Sequence, residues 1–116
     1  MNYRCFFCRR DITAEEAVIV AIKRQEGFLP NKAVASCYDG VCLKGLKEKA
    51  EKLIEKTTQE AIQDNLTVTI VIGEKIVTCV DLQCCSSEKE FFELFQLFIR
   101  TAIEAVRLIK LIKLPA

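Results

Sequence analysis

Cys5 and Cys8 open the chain in CFFC, and Cys37 and Cys42 follow in CYDGVC after 28 intervening residues. Thiols in this pattern can ligate one metal ion, close disulfides, or cycle as a redox dithiol. Zinc takes four donors in a tetrahedron, and thiolates at ~2.3 Å are suitable ones. A Cys-x2-Cys turn reverses the chain and so places two sulfurs on one side of an ion. The second pair need only be brought back by the structure between. We prefer the metal reading, with Cys5, Cys8, Cys37 and Cys42 as ligands of a structural zinc ion and Asp39 as an alternative donor inside the second pair.

The competing reading is a thiol-dependent redox protein using Cys5 and Cys8, or the vicinal Cys84 and Cys85. Dithiol enzymes usually present Cys-x-x-Cys after a strand and at a helix N-terminus. Here the pair stands at the start of the chain with no strand expected ahead of it. An ion already holding four thiolates has no position for Cys84 or Cys85, and Cys79 reads as an apolar core residue.

Composition narrows the chemistry. The chain has 116 residues, 51% of them apolar, 28% charged, and a net charge of +1, so it is read as a single folded domain over 1–116. It contains no histidine, which excludes a Ser-His-Asp or Cys-His catalytic pair within one chain. With four glycines, no phosphate-binding loop and no carboxylate pair set apart from helix-surface charge, we expect a protein that is not an enzyme. The start lacks the basic-then-apolar pattern of a signal peptide, and no apolar run approaches the roughly 20 residues of a membrane span. A cytoplasmic location and no membrane partner are therefore expected. One Met, no Trp and abundant Lys, Glu and Ile lean towards a heat-loving source. Intracellular proteins of hyperthermophiles carry disulfides, so that reading of the cysteines stays open.

The elements that must position the cysteines follow from periodicity. Asp11-Ile12-Thr13 reads as a turn, and the β-branched stretch 17–22 as a strand. That strand returns through 33–35 in a hairpin with a long tip. Leu43, Leu46, Ala50, Leu53, Thr57 and Ala61 recur at steps of three and four, predicting a helix over 43–64 with Asp39 as its N-cap. Residues 66–72 and 75–82 flank Gly73-Glu74 as a second hairpin with a type II′ turn. In that register Thr69 faces Thr78, Val68 faces Cys79, and Cys79 and Val77 point inward. Ser87 and Glu90 have capping-box spacing ahead of a long apolar helix over 88–113. The fold class is α+β: a knuckle, hairpin and helix over 1–42 and 43–64, then a hairpin and helix over 66–116.

In CFFCRRDI and CYDGVCLKGL the order of knuckle, hairpin, second cysteine pair and helix resembles a treble-clef zinc finger. It is similar to the finger of a small ribosomal large-subunit protein and to those of small archaeal zinc-finger proteins. The resemblance covers residues 3–50 and implies a ligand role for Cys5, Cys8, Cys37 and Cys42.

Two kinds of partner are expected. Arg4, Arg9, Arg10, Lys23, Arg24 and Lys32, with Tyr3, Phe6 and Phe7, could face a phosphate backbone, giving a non-catalytic protein- or nucleic-acid-interaction module. Helix 88–113 is apolar round most of its circumference, and its seam Phe91, Phe95, Phe98, Ala102, Ala105, Ile109, Ile112 suits pairing with a second copy. A homodimer is expected, with coverage of the hairpin inside one chain as the alternative.

Overall fold

Alternation decides the sheet. In Leu66–Ile72 every second residue is buried, and the partners across the sheet are β-branched and in phase. The computed structural model describes residues 2–24, 32–60 and 65–113. In chain order it holds strands β1 (Asn2–Arg4), β2 (Asp11–Thr13), β3 (Val18–Arg24) and β4 (Lys32–Ser36). Then come helix α1 (Gly40–Glu60), strands β5 (Leu66–Ile72) and β6 (Lys75–Asp81), and helix α2 (Glu88–Lys113). Among the described residues the class is α+β, with two α-helices and two sheets. One sheet is the β1–β2 ribbon, and the other is antiparallel in the order β4-β3-β5-β6. The expected turn at Asp11-Ile12-Thr13 is thus a strand, paired with 2–4.

The two hairpins do not stand apart. β3 lies antiparallel to β5, with Val18 opposite Ile72, Val20 opposite Ile70 and Ile22 opposite Val68. These side chains share one face, which α1 and α2 cover. The residues of the first hairpin's tip, 25–31, and the expected end of the first helix, 61–64, lie outside the described residues.

The second hairpin corrects the expected register. Gly73 and Glu74 have φ of 55° and 73°, which is a type I′ turn and not type II′. Next to the turn the expected pairs form, Ile72 with Lys75 and Val71 with Ile76. A bulge then shifts the pairing by one residue, so Ile70 meets Thr78, Thr69 meets Cys79 and Val68 meets Val80. A one-residue shift turns a strand over. Val80 is therefore the buried residue, while Val77 and Cys79 are exposed.

α1 buries Leu43, Leu46, Ala50 and Ile54, with Leu53 only half-buried. α2 begins under a side-chain cap. The Ser87 hydroxyl oxygen accepts the Glu90 N–H (3.1 Å), and the Glu90 carboxylate accepts the Ser86 N–H (2.9 Å). Its buried face is Phe91, Phe95, Ile99, Ala102 and Val106, packed on α1, β5 and β6. Phe91, Phe95 and Ala102 of the expected pairing seam are thus consumed within one chain. The apolar residues left outside are Leu97, Leu108, Leu111 and Ile112, the last 82% exposed. Among the described residues no helix is long and apolar enough to cross a membrane.

Candidate metal centre

The knuckle is the tip of the β1–β2 ribbon. The Cys5 N–H donates to the Arg10 carbonyl (2.9 Å) and the Arg9 N–H to the Cys5 carbonyl (3.0 Å), so the chain reverses within Cys5–Arg10. Arg9 closes the reversal at φ 64°, a left-handed conformation that glycine adopts without steric cost. A short strand does precede Cys5, against expectation, but the chain then runs into β2 and not into a helix.

Two contacts seat the knuckle on the rest of the chain. The Phe6 N–H donates to the Ala35 carbonyl of β4 (3.0 Å). The Phe7 ring lies on α1 at Gly45, where an added Cβ would sit 2.8 Å from a ring carbon. Glycine at that point lets ring and helix backbone touch.

The second pair comes from the β4–α1 junction. Cys37 directly follows β4, and Cys42 sits in the first turn of α1. Asp39 is the cap foreseen from sequence: its Oδ1 accepts the Val41 N–H and its carbonyl the Leu43 N–H, both at 2.9 Å. Its carboxylate is therefore engaged at the helix end, and the donor group consists of the four cysteines.

The sulfurs of Cys5, Cys8, Cys37 and Cys42 all lie within 4.8 Å of one another. Cys8 and Cys37 are 3.9 Å apart. A tetrahedron with metal–sulfur bonds of ~2.3 Å has edges of about 3.8 Å, whereas a disulfide is ~2.05 Å long. The spacing suits four ligands round one ion. Cys5, Cys37 and Cys42 are buried and Cys8 is exposed, so the site has a single open edge.

The electrostatics fit the same donor set. Burial pushes the Cys5 thiol up, but backbone hydrogen bonds from Cys8, Cys37 and Phe7 outweigh it and bring the pKa down to about 6. Cys42 is driven well above the ordinary thiol range by burial and then by the neighbouring sulfurs. The Arg10 guanidinium is held charged by its hydrogen bond to the Cys37 sulfur.

Of the residues expected to meet a phosphate backbone, only the knuckle arginines gather here. Arg4 is exposed and its Nε lies 3.5 Å from Asp11. Arg9 lies over the Phe6 ring, 5.5 Å from its centroid, and Arg10 sits at Cys37. Lys32 and Lys23 are at the far end of β4 and β3, about 13 Å from Ser36 and about 17 Å from Val18 along the strands by the ~3.3 Å rise per residue. The Arg24 side chain lies outside the described residues. Sequence reasoning missed Lys49, whose ammonium is 5.4 Å from the Phe6 centroid. The available signal was helical phase, since Lys49 lies two turns beyond Cys42 and hence on its face.

Cys79, Cys84 and Cys85 stay outside the donor group. Cys79 is exposed, with the Thr69 hydroxyl 3.7 Å from its sulfur, and is not the core residue expected. Cys85 is half-buried, donates to the Asp81 carbonyl (3.6 Å), and has its thiol pushed up by burial.

An open cleft of about 720 Å³ lies beside Cys37, between the knuckle and the end of α2. Lys110 crosses it to donate to the Tyr38 carbonyl (3.1 Å), and the Tyr38 hydroxyl donates to the Glu15 carbonyl (3.0 Å). The Gly73 turn closes against the same place, with the Gly73 N–H donating to the Ala17 carbonyl (3.0 Å). The cysteine cluster and the sheet end thus meet through Tyr38 and Gly73. Comparison with family models, with curated proteins and with solved structures finds no match to this chain.

Proposed function

We propose that the protein is a non-catalytic zinc-binding module in which Cys5, Cys8, Cys37 and Cys42 hold one structural ion. The observation that carries this is the convergence of four sulfurs from two separate chain segments within 4.8 Å. A set of four thiolates leaves no position for substrate or water on a tetrahedral ion, which favours a structural role. With no histidine in the chain, thiolates are the natural donors for zinc. A knuckle, a hairpin and a helix whose first turn carries the last ligand support the treble-clef resemblance. The ion would fasten the knuckle to the β4–α1 junction and present the knuckle surface to a nucleic acid or protein partner. The redox reading is weaker because Cys5 and Cys8 share their space with Cys37 and Cys42 and do not form an isolated dithiol. Pairing with a second copy through helix 88–113 would have to use its outer stripe, Leu97, Leu108 and Leu111.

Elemental analysis of purified, tag-free protein tests the proposal. One zinc per chain is expected, with Cys5, Cys8, Cys37 and Cys42 protected from alkylation at neutral pH until a chelator is added. A folded protein without metal, whose Cys5 or Cys8 reacts at once, would leave the redox reading in its place.

A further inference from the structure

Phe6 and Phe7 are adjacent in sequence and face opposite fates. Phe7 is wedged on α1 at Gly45, while the Phe6 ring is 43% exposed beside it, 5.1 Å away in an edge-to-face arrangement at 75°. The Phe6 N–H is bonded to the Ala35 carbonyl, which fixes its backbone against β4. Two cations, Arg9 and Lys49, come from different elements and approach this one ring at 5.5 and 5.4 Å.

Helical spacing continues the cationic side. Lys52 and Lys56 follow Lys49 at i+3 and i+7, so they extend from the ring along the same face of α1 for about 10 Å at ~1.5 Å per residue. Both are exposed, and among the described residues neither they, Lys49 nor Arg9 is in an ion pair.

We infer that this surface binds single-stranded nucleic acid, with Phe6 as a base-stacking platform and Arg9, Lys49, Lys52 and Lys56 on the flanking phosphates. An exposed ring with cations around it matches an alternation of flat bases and anionic phosphates. A cation over an exposed ring is held more weakly than a stacked base. A base therefore displaces Arg9 or Lys49 from Phe6, and the released cation turns to a phosphate. The carboxylates of an acidic peptide would use the cations but not the ring. The inference rests on the proposed role as an interaction module and names its partner.

Anisotropy of a labelled single-stranded oligonucleotide, titrated with zinc-loaded full-length protein at several salt concentrations, tests it. Phe6→Ala should weaken binding on the order of tenfold with an unchanged salt slope, and Phe6→Tyr should restore it. The triple variant Lys49→Gln, Lys52→Gln, Lys56→Gln should weaken binding and lower the slope of log K against log salt by about 2, at ~0.7 per phosphate. The inference is overturned if Phe6→Ala binds like the wild type, if a duplex of equal length binds as tightly, or if low salt yields no binding. In the last case a measured zinc per chain would leave the metal module standing. Protein without zinc that still binds through Phe6 would remove the metal reading alone.

Discussion

The two ends of the molecule are held together by different physics. At the sheet end, two helices cover one face of a four-stranded sheet, and Phe91, Phe95, Leu66, Ile70 and Ile99 are fully buried between them. At the knuckle end the buried cluster among the described residues is small, and three of its five members are Cys5, Cys37 and Cys42. Strands of three residues cannot build a core of their own, so that end has little apolar burial to hold it. The comparison teaches that one region rests on burial of apolar surface, while the other buries little besides its thiols.

The largest effect expected is on removing metal. Apparent binding energies of structural zinc are about 10–16 kcal/mol, far more than a small cluster supplies. A chelator, or Cys37→Ser, should speed hydrogen exchange at the amides of residues 2–13 while β5 and α2 keep their protection. Loss of protection everywhere at once would break the comparison, because the sheet would then depend on the knuckle.

The metal-free protein sharpens it through pH. The folded Cys5 thiol at about 6 lies below its ordinary value of 9.0, so between these the unfolded chain binds more protons and stability rises with pH. That contribution is complete above pH 9 and is lost as pH falls through about 6. Cys42, raised in the folded state, works in the other direction above pH 9, because its ionisation then favours the unfolded chain. Chemical denaturation of metal-free protein should therefore be hardest near pH 9. A flat profile from pH 6 to 9 would remove the Cys5 thiolate from the account.

Phe95→Ala probes the other region and should cost about 3–5 kcal/mol in denaturation experiments, the usual range for a buried ring. Zinc content should not change. Gly45→Ala tests the seam between the regions, since its methyl must displace the Phe7 ring, at about 1–3 kcal/mol. In a Phe7→Ala background the same substitution should be close to neutral, and an undiminished cost would show that Phe7 is not the obstacle. Ser87→Ala should be smallest, about 1 kcal/mol for a lost helix cap, read as a small fall in melting temperature with metal affinity unchanged.

Much of this was legible in sequence because it is local. The helix start at Asp39, the cap at Ser87, the extent of α2 and the strand 66–72 follow from spacings of two, three or four residues. The four-cysteine set was legible because few chemistries use such pairs. The errors arose where one segment meets another. Cys79 and Val77 were placed inward because a bulge leaves no mark in an otherwise alternating strand. The expected seam of α2 shares Phe91, Phe95 and Ala102 with the buried face but takes Phe98 and Ala105 where the fold buries Ile99 and Val106, since a helix apolar on nearly all sides does not say which side its neighbour takes.

Sequence alone determined the order and kind of most elements and the four thiols to be gathered, because φ/ψ preference, side-chain period and donor chemistry are properties of short segments. Only the tertiary structure decided that β3 joins β5, that Val80 and not Cys79 turns inward, and that Lys49 reaches Phe6. Those outcomes depend on which distant surfaces exclude water from each other, and that is settled by the packing of the whole chain.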